Sequence, residues 1–198
     1  EEFNASATKE LKAALSTLKQ AGMQKLILDL RENPGGLLTQ AVDICNLFLA
    51  KETKIVETRG KVEDWNKTYT ALNASFDSDI PLIILINGHS ASAAEIVAGV
   101  MQDYDRAVLV GKKSYGKGLV QVTRDLPYRT KMKITTAKYY IPSGRCIQAI
   151  DYQNKNADGQ AVAYKDSSIK TFKTQNGRTV VDGGGILPDI LIGKDLMS

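Results

Sequence analysis

The sequence contains very few of the side chains that bind transition metals. Among its 198 residues it has one histidine, His89, and two cysteines, Cys45 and Cys146. Structural zinc sites combine four such ligands at short spacings, and disulfide-stabilised domains need several cysteine pairs. We therefore expect no metal site, no cofactor and no disulfide framework, and we interpret both cysteines as buried thiols.

The shortage of histidine also restricts the catalytic chemistry. A serine becomes a useful nucleophile only when a base removes its proton. His89 lies three residues before the candidate nucleophile Ser92 and would have to fold back onto its near neighbour, so we assign it a local role. A lysine is the obvious substitute, because Ser-Lys pairs are an established variant of the Ser-His-Asp triad.

Long hydrophobic runs and concentrated positive charge are missing as well. No apolar run reaches the roughly 20 residues of a membrane-spanning helix. Lysines and arginines are scattered among acidic residues at a net charge of +4, so we expect no nucleic-acid partner. The composition, 43% hydrophobic and 24% charged, is typical of one soluble globular domain. Because the chain starts at Glu1 without a signal peptide, we interpret it as a piece of a longer protein.

The order of predicted elements indicates an α/β fold. Periodicity predicts helices over 6–21, from residue 38 onward and over 92–104, and apolar runs predict strands over 25–30, 54–58, 82–86, 107–110, 119–123 and 131–140. This alternation favours a mixed central sheet with crossover helices. A hairpin or surface excursion is expected over 60–79. We interpret 1–198 as a single domain with a loop-rich insertion at about 151–183, in which Asn176 and Gly177 predict a hairpin.

Ser92 lies at the predicted start of the third helix. Ser92 and Glu95 fit a capping box, in which serine and glutamate satisfy the first amides of the helix, and taken alone this is the better interpretation. The same position suits a nucleophile, because the helix N-terminus carries partial positive charge and free N–H groups. The Ala93 amide would then be one donor to an oxyanion.

Lys117 and Gln121 supply the remaining chemistry. To act as a base, Lys117 must be neutral, which burial away from carboxylates favours, and the segment 115–120 has no acidic residue. Gln121, four residues later on the same predicted strand face, could orient the amine without charging it. The alternatives are a solvated lysine in a turn and an exposed strand glutamine.

Two further features have simpler alternatives. Gly35 and Gly36 could offer a second oxyanion donor, because a loop amide reaches a ligand only where no side chain blocks it, but taken alone a plain turn is the better interpretation. The spacing from Gly111 to Lys117 nearly matches a P-loop. It lacks the Ser or Thr after the lysine and is followed by a strand pattern instead of a helix, so nucleotide binding is disfavoured.

Asp103 and Asp105 lie at the predicted C-terminus of the third helix, where the helix dipole disfavours carboxylates. We expect them to pair with Arg106 or with lysines. We interpret them as structural residues.

Five segments in order resemble the C-terminal processing (tail-specific) serine peptidases. They are LDLRENPGG at 28–36, SASAAEIVAG at 90–99, YGKGLVQ at 115–121, YIPSGR at 140–145 and GILPD at 185–189. Each is weak alone, and together they are specific. The resemblance implies a Clp/crotonase-like peptidase core with Ser92 as nucleophile, Lys117 as base and Gln121 as its support. It implies an oxyanion hole from Ala93 and either Gly35 or Gly36.

The resemblance also implies what the protein acts on and where. We expect a serine endopeptidase that cleaves polypeptides near unstructured C-terminal tails through an acyl-enzyme, without a cofactor, in an extracytoplasmic compartment. Family members usually carry a substrate-capturing PDZ domain, which has no room here and which we expect elsewhere in the full-length protein. The alternative is a non-catalytic ligand-binding module on the same fold.

Overall fold

The computed structural model describes residues 2–155, 161–163 and 169–193. Its helices are α1 (Ala7–Gln20), α2 (Leu38–Phe48) and α3 (Ala93–Asp103), and short 3₁₀ turns occupy Glu63–Trp65 and Pro127–Arg129. Its strands are β1 (Leu26–Asp29), β2 (Lys54–Gly60), β3 (Lys67–Thr70), β4 (Leu82–Ile86), β5 (Val108–Gly111), β6 (Leu119–Asp125), β7 (Lys131–Tyr140), β8 (Ile150–Lys155), β9 (Ala161–Ala163), β10 (Thr171–Lys173), β11 (Thr179–Val181) and β12 (Ile190–Leu191). No helix within these described ranges is long and apolar enough to cross a membrane.

A four-stranded parallel sheet forms the first layer, in the order β1-β4-β5-β12. Parallel neighbours need crossover connections, and α3 makes the crossover from β4 to β5. Ile84 and Leu109 are fully buried and belong to the same core as residues of α2 and α3. Ile83 and Val108, which alternate with them along the strands, are exposed. The helices therefore cover one face of this sheet.

A second sheet is antiparallel and orders its strands β3-β2-β7-β6. Strand β2 contacts both α2 and α3, and every residue of α3 is buried. Helix α3 is close enough to the surrounding side chains that a Cβ on Gly99 would lie 2.7 Å from Ile141 and 2.8 Å from Ile186. The α/β class with crossover helices is confirmed, and the described strands form these two four-stranded sheets and two two-stranded ladders.

The structure differs from the sequence prediction near its C-terminal end. The polar stretch after residue 150 contains β8 and β9, which pair antiparallel with Ile150 opposite Ala163. Tyr152 on β8 is 60% exposed, so this ladder shows little of the apolar alternation that identifies strands. Residues 156–160 and 164–168 of the predicted insertion lie outside the described residues. The hairpin over 171–181 is confirmed as β10 and β11.

The two helix-terminal aspartates find other partners than expected. Asp103 pairs with Arg145 at 2.8 Å, and Asp105 pairs with Arg178 at 2.5 Å. Arg106 instead donates hydrogen bonds to the main-chain carbonyls of Phe48, Ile80 and Asp77. The Arg106 guanidinium is therefore bonded to carbonyls at the end of α2 and in the loop before β4. The expected pairing of Asp103 or Asp105 with Arg106 is wrong.

Both cysteines are free thiols. Cys45 is fully buried in α2, and burial raises the pKa of its thiol. Cys146 is only partly buried. The buried-thiol interpretation therefore holds fully for Cys45 alone.

Candidate active site

Three loops that follow neighbouring parallel strands meet at one edge of the first sheet. They are 30–37 after β1, 87–92 after β4 and 112–118 after β5. The Ala91 amide donates to Asn33 O at 2.9 Å, and the Tyr115 amide donates to Ser90 O at 3.0 Å. The Ser90 hydroxyl donates to Leu30 O at 2.7 Å. The carboxyl ends of parallel strands are the usual location of functional sites in α/β sheets, and here they gather the candidate residues.

Ser92 stands at a strained turn from the β4 loop into α3. Its backbone has φ 55° and ψ −117°, a conformation that L-residues other than glycine rarely adopt and that concentrates at functional sites. A serine on a sharp strand-to-helix turn is also the arrangement that exposes the nucleophile in α/β-hydrolases. Ser92 also forms the predicted capping box with Glu95, so cap and candidate nucleophile are the same residue.

Gly35 lies directly against this turn. A Cβ on Gly35 would lie 2.6 Å from Ala91 O, 2.8 Å from Ala93 N and 2.9 Å from Ser92 Cβ, at φ +98°. Any side chain would therefore displace the turn that carries Ser92. The Gly35 amide donates to Asn33 Oδ1 at 2.8 Å, so it is already occupied.

Gly36 and Ala93 differ from Gly35 in the state of their main-chain amides. Both residues line a cavity of about 280 Å³ together with Ser92 and Lys117. Among the residues that the structure describes, neither amide is the donor of a main-chain hydrogen bond outside regular elements. Gly35 therefore packs against the Ser92 turn and Gly36 lines the cavity, and the choice between their amides as an oxyanion donor stays a prediction.

Glu95 ties the Ser92 turn to the Lys117 loop. Its Oε2 accepts hydrogen bonds from the amides of Ser92 and Lys117, each at 2.8 Å. Its Oε1 accepts from the Gly116 amide at 2.7 Å and from the Ser114 hydroxyl at 2.5 Å. The side chain is fully buried, and burial raises the pKa of its carboxyl. Sequence reasoning identified the capping half of this arrangement and missed the bonds to the loop.

Lys117 is half-buried and lines the same cavity as Ser92. Within the described part of the chain, no salt bridge reaches its amine, and no hydrogen bond joins Lys117 Nζ to Ser92 Oγ. Strand β6 follows the loop where a P-loop would begin a helix. The loop therefore presents a lysine to the site without a carboxylate partner and lacks P-loop geometry.

Gln121 lies on β6 where the pairing with β7 shifts register. It is exposed, lines the cavity with Lys117 and donates a 3.5 Å hydrogen bond to Thr135 Oγ1. Lys117 precedes β6, so strand alternation does not relate the two side chains as expected. No hydrogen bond joins them in the residues described, and the supporting role of Gln121 stays a prediction.

Tyr139 on β7 is the residue of this cavity that sequence reasoning missed. Its hydroxyl donates to the Lys117 carbonyl. Burial, and secondarily the Glu95 carboxylate, raise the pKa of its phenol well above the usual value. A tyrosine inside an apolar strand pattern gives no signal of such a contact.

His89 lies at the rim of the site. Its Nδ1 lies 2.8 Å from Glu32 Oε2, and both side chains are largely exposed. The local role assigned to it agrees with this position. Among the described residues, no group of three or more histidine, cysteine or acidic side chains is placed to hold a metal ion.

Comparison with known families identifies similar proteins over most of the chain. The sequence model of peptidase family S41 matches residues 1–155. A carboxy-terminal-processing protease of Bartonella bacilliformis is 44% identical over 145 residues, which are 73% of this chain and 32% of that protein. A probable CtpA-like serine protease of Staphylococcus haemolyticus is 34% identical over 98% of this chain and 39% of its own length. The chain thus spans between about a third and two fifths of the length of these relatives.

Solved structures show the same fold. The photosystem II D1 C-terminal processing protease superposes with a TM-score of 0.71 at 25% identity, over 100% of this chain and 42% of that one. A putative S41 protease from Bacteroides fragilis superposes with a TM-score of 0.67 at 19% identity, over 98% of this chain and 46% of its own.

Proposed function

Because the chain belongs to peptidase family S41, we propose that it is the core of a serine endopeptidase that cleaves polypeptides near their C-termini by a Ser-Lys dyad. The observation that carries the proposal is the strained Ser92 turn, which shares one cavity with Lys117, Ala93 and Gly36. A helix cap alone requires neither the strain nor the neighbouring lysine.

The proposed reaction assigns each residue one task. Ser92 Oγ attacks the carbonyl carbon of the scissile bond while Lys117 Nζ takes its proton, and the lysine returns that proton to the departing amine. The Ala93 and Gly36 amides, next to the positive end of α3, stabilise the oxyanion. Water, deprotonated by Lys117, then attacks the ester on Ser92, and the lysine returns that proton to Ser92 Oγ as the acid product leaves. Gln121 would orient the lysine amine between these steps.

The cavity wall supports an apolar preference in the substrate. Beyond the polar site residues, the lining includes side chains that could receive an apolar group of the substrate, namely Leu37, Leu38, Ile96, Leu119 and Val120. An unstructured polypeptide tail would bind in extended form, with main-chain hydrogen bonds for affinity and this pocket for selection. We place the full-length protein outside the cytoplasm, with a PDZ domain capturing the tail, as the family resemblance implies.

Labelling with a fluorophosphonate probe and hydrolysis of a peptide test the proposal on the full-length protein. Ser92→Ala and Lys117→Ala should each lower hydrolysis by at least about 1,000-fold, because dyad members act as one unit. Lys112→Ala, an exposed lysine of the same loop, is the matched control and should retain activity. Full activity in Lys117→Ala would overturn the mechanism. Failure of the probe to label Ser92 would favour a non-catalytic binding module.

A further inference from the structure

Phe3 lies against the loop that carries Gly35 and Gly36. Its amide donates to Gly35 O at 2.6 Å, and its carbonyl accepts from the Leu37 amide at 2.9 Å. These two hydrogen bonds form a parallel bridge between Phe3 and Gly36. The Phe3 side chain is 7% exposed and belongs to the hydrophobic core. The core therefore holds the segment that pairs with this loop.

The bridge fixes the direction of the Gly36 N–H. In a planar trans peptide, the C=O and the N–H point in opposite directions. The C=O of the peptide that joins Gly35 to Gly36 points to Phe3, because it accepts from the Phe3 amide. The N–H of the same peptide, which belongs to Gly36, therefore points away from Phe3. In the described part of the chain this N–H is not the donor of a main-chain hydrogen bond outside helices and strands, and Gly36 lines the cavity of Ser92 and Lys117.

Phe3 and the loop approach each other too closely for a side chain at position 36. A Cβ on Gly36 would collide with the Phe3 carbonyl oxygen and would lie 2.9 Å from the Phe3 amide nitrogen, at φ +136°, a conformation that glycine adopts readily. Thr8 adds a second attachment, because its amide and its hydroxyl donate to Gln40 Oε1 at 2.9 and 2.7 Å. The segment 3–8 is thus bonded to the loop and to α2, which follows the loop.

We propose that Phe3 is a positioning residue that directs the Gly36 N–H toward the oxyanion of the reaction. The inference rests on the proposed function, in which the Gly36 and Ala93 amides stabilise that oxyanion. The Phe3 side chain anchors the pairing segment in the core, and its main chain sets the orientation of the Gly36 peptide. Without the anchor, this peptide can rotate and its N–H can leave the cavity, whereas α3 holds the Ala93 amide.

The test is Phe3→Ala in the full-length protease, with Phe3→Leu as the conservative variant. Removal of one oxyanion donor lowers kcat by about 100- to 1,000-fold, and a donor that is present but misdirected should cost on the order of 10- to 100-fold. We expect that loss in kcat for Phe3→Ala, with KM within about twofold of wild type, because the donor acts only in the transition state. Phe3→Leu keeps an apolar anchor and the main-chain pairing, so it should restore most of the activity.

Phe76→Ala is the matched control for a loss of packing. Phe76 packs against the same core, and its amide donates to Leu47 O near the C-terminus of α2, whereas the loop of Gly36 precedes the N-terminus of that helix. We expect Phe76→Ala to lower the unfolding midpoint and to leave kcat unchanged.

Inhibition by a peptidyl trifluoromethyl ketone separates positioning from packing. Ser92 Oγ adds to the ketone carbon, and the ketone oxygen becomes the anion that the two amides would stabilise. Because such an adduct resembles the transition state, its inhibition constant should rise in Phe3→Ala by the factor by which kcat/KM falls. A lowered unfolding midpoint with a wild-type kcat and a wild-type inhibition constant would overturn the inference.

The same experiments distinguish this inference from the proposed function. If neither the ketone nor a fluorophosphonate probe modifies Ser92 in the wild-type protein, the proposed function is wrong and the role of Phe3 fails with it. If both modify Ser92 and Phe3→Ala reacts as the wild type does, only the role of Phe3 is wrong.

A second variant decides the matter if Phe3→Ala does not fold. The α-hydroxy analogue of leucine at position 37 replaces the main-chain amide with an ester and keeps every side chain. It deletes the N–H that donates to the Phe3 carbonyl and retains the Gly36 N–H. This ester variant should bind the ketone less tightly than the wild type does. Binding at the wild-type strength would overturn the inference.

Discussion

Helix α3 carries a buried carboxylate at each end, and the two are satisfied in different ways. Glu95, at the N-terminus, accepts hydrogen bonds from three main-chain amides and one hydroxyl. Asp103, at the C-terminus, faces the Arg145 guanidinium at 2.8 Å and accepts from the Ser143 amide at 2.9 Å. The carboxylate at the N-terminus of α3 is therefore bonded to neutral donors, and the carboxylate at its C-terminus is paired with a cation.

The C-terminal end gathers residues from distant segments into one network. Arg145 donates to Gln102 Oε1 at 2.7 Å, and Gln102 donates to Asp189 Oδ1 at 2.9 Å. Arg178 joins Asp105 to Asp189. Two of the five segments that resemble the peptidases, 140–145 and 185–189, are therefore joined through Gln102 at the C-terminal end of α3.

The difference suits the chemistry proposed for each end. A carboxylate near Lys117 that lacked other partners would attract the amine and keep it charged. Glu95 is surrounded by neutral donors and does not pair with the lysine amine. At the C-terminal end, the helix dipole disfavours Asp103 and Asp105, and guanidinium groups offset that cost.

We expect the largest loss of stability from removing Arg145, the cation at the C-terminal end of α3. Arg145→Met leaves the Asp103 carboxylate buried without its counter-charge, and removing one partner of a buried ion pair typically costs about 3–5 kcal/mol. Urea unfolding of the variant measures this loss. Arg31→Met is the matched control, because its ion pair with Asp29 is exposed on both sides, at 51% and 46%, and exposed pairs contribute about 1 kcal/mol or less. Equal losses in the two variants would contradict the assigned role of the buried pair.

Changing Glu95, at the N-terminal end of α3, should affect activity more than stability. Glu95→Gln keeps one acceptor oxygen and turns an amide group toward two donors, which leaves those donors unsatisfied at a cost of about 2 kcal/mol. Because those donors include the amides of the Ser92 turn and the Lys117 loop, we expect a loss in kcat on the order of 100-fold.

Peptide hydrolysis and urea unfolding on the same Glu95→Gln sample separate these two effects. Glu10→Gln, on the exposed surface of α1, is the control and should match the wild type in both. A Glu95→Gln variant with wild-type kcat would show that the carboxylate only caps the helix.

Apolar runs in the sequence predicted several strands correctly, because the burial of a strand is reflected in its own residues. The apolar runs located β4 at 82–86 and β7 at 131–140, and the structure has Leu82–Ile86 and Lys131–Tyr140. The ladder of β8 and β9 escaped prediction because exposed residues such as Tyr152 do not give a strand its apolar alternation.

In the candidate site, too, local sequence patterns predicted some features and missed others. Ser92 and Lys117 could be chosen from residue types and family resemblance, and the structure brings both to one cavity. The bond from the Lys117 amide to Glu95 joins residues 22 apart in sequence, and no local pattern signals it. Tyr139 was missed for the same reason. The sequence left Gly35 and Gly36 as alternatives, and only the structure shows that the Gly35 amide already donates to Asn33.

The smallest predicted effect concerns the surface ion pair between Lys19 and Asp77. Its contribution to stability should change with pH in the direction opposite to that of the buried carboxyls of α3. Burial raises the pKa of Glu95 and Asp103, so the folded state binds more protons at these groups than the unfolded state does. Their contribution to the stability of the folded protein therefore decreases as pH rises. Hydrogen bonds from Lys19 and from the amides of residues 79 and 80 lower the pKa of Asp77 to about 2 from 3.8. Its contribution is therefore present above pH 4 and is lost as pH falls towards 2.

Asp77→Asn isolates that contribution. Lys19 is 54% exposed and Asp77 is 17% exposed, so solvent screening limits the difference from wild type to about 1 kcal/mol at pH 6. Urea unfolding from pH 6 to pH 2 should show the two proteins converging as the wild-type carboxylate is protonated. Asp64→Asn, on the exposed 3₁₀ turn, should run parallel to the wild type throughout. A difference between Asp77→Asn and wild type that stays constant with pH would mean that Asp77 stabilises the fold by packing, because a charge-dependent bond to Lys19 must weaken on protonation.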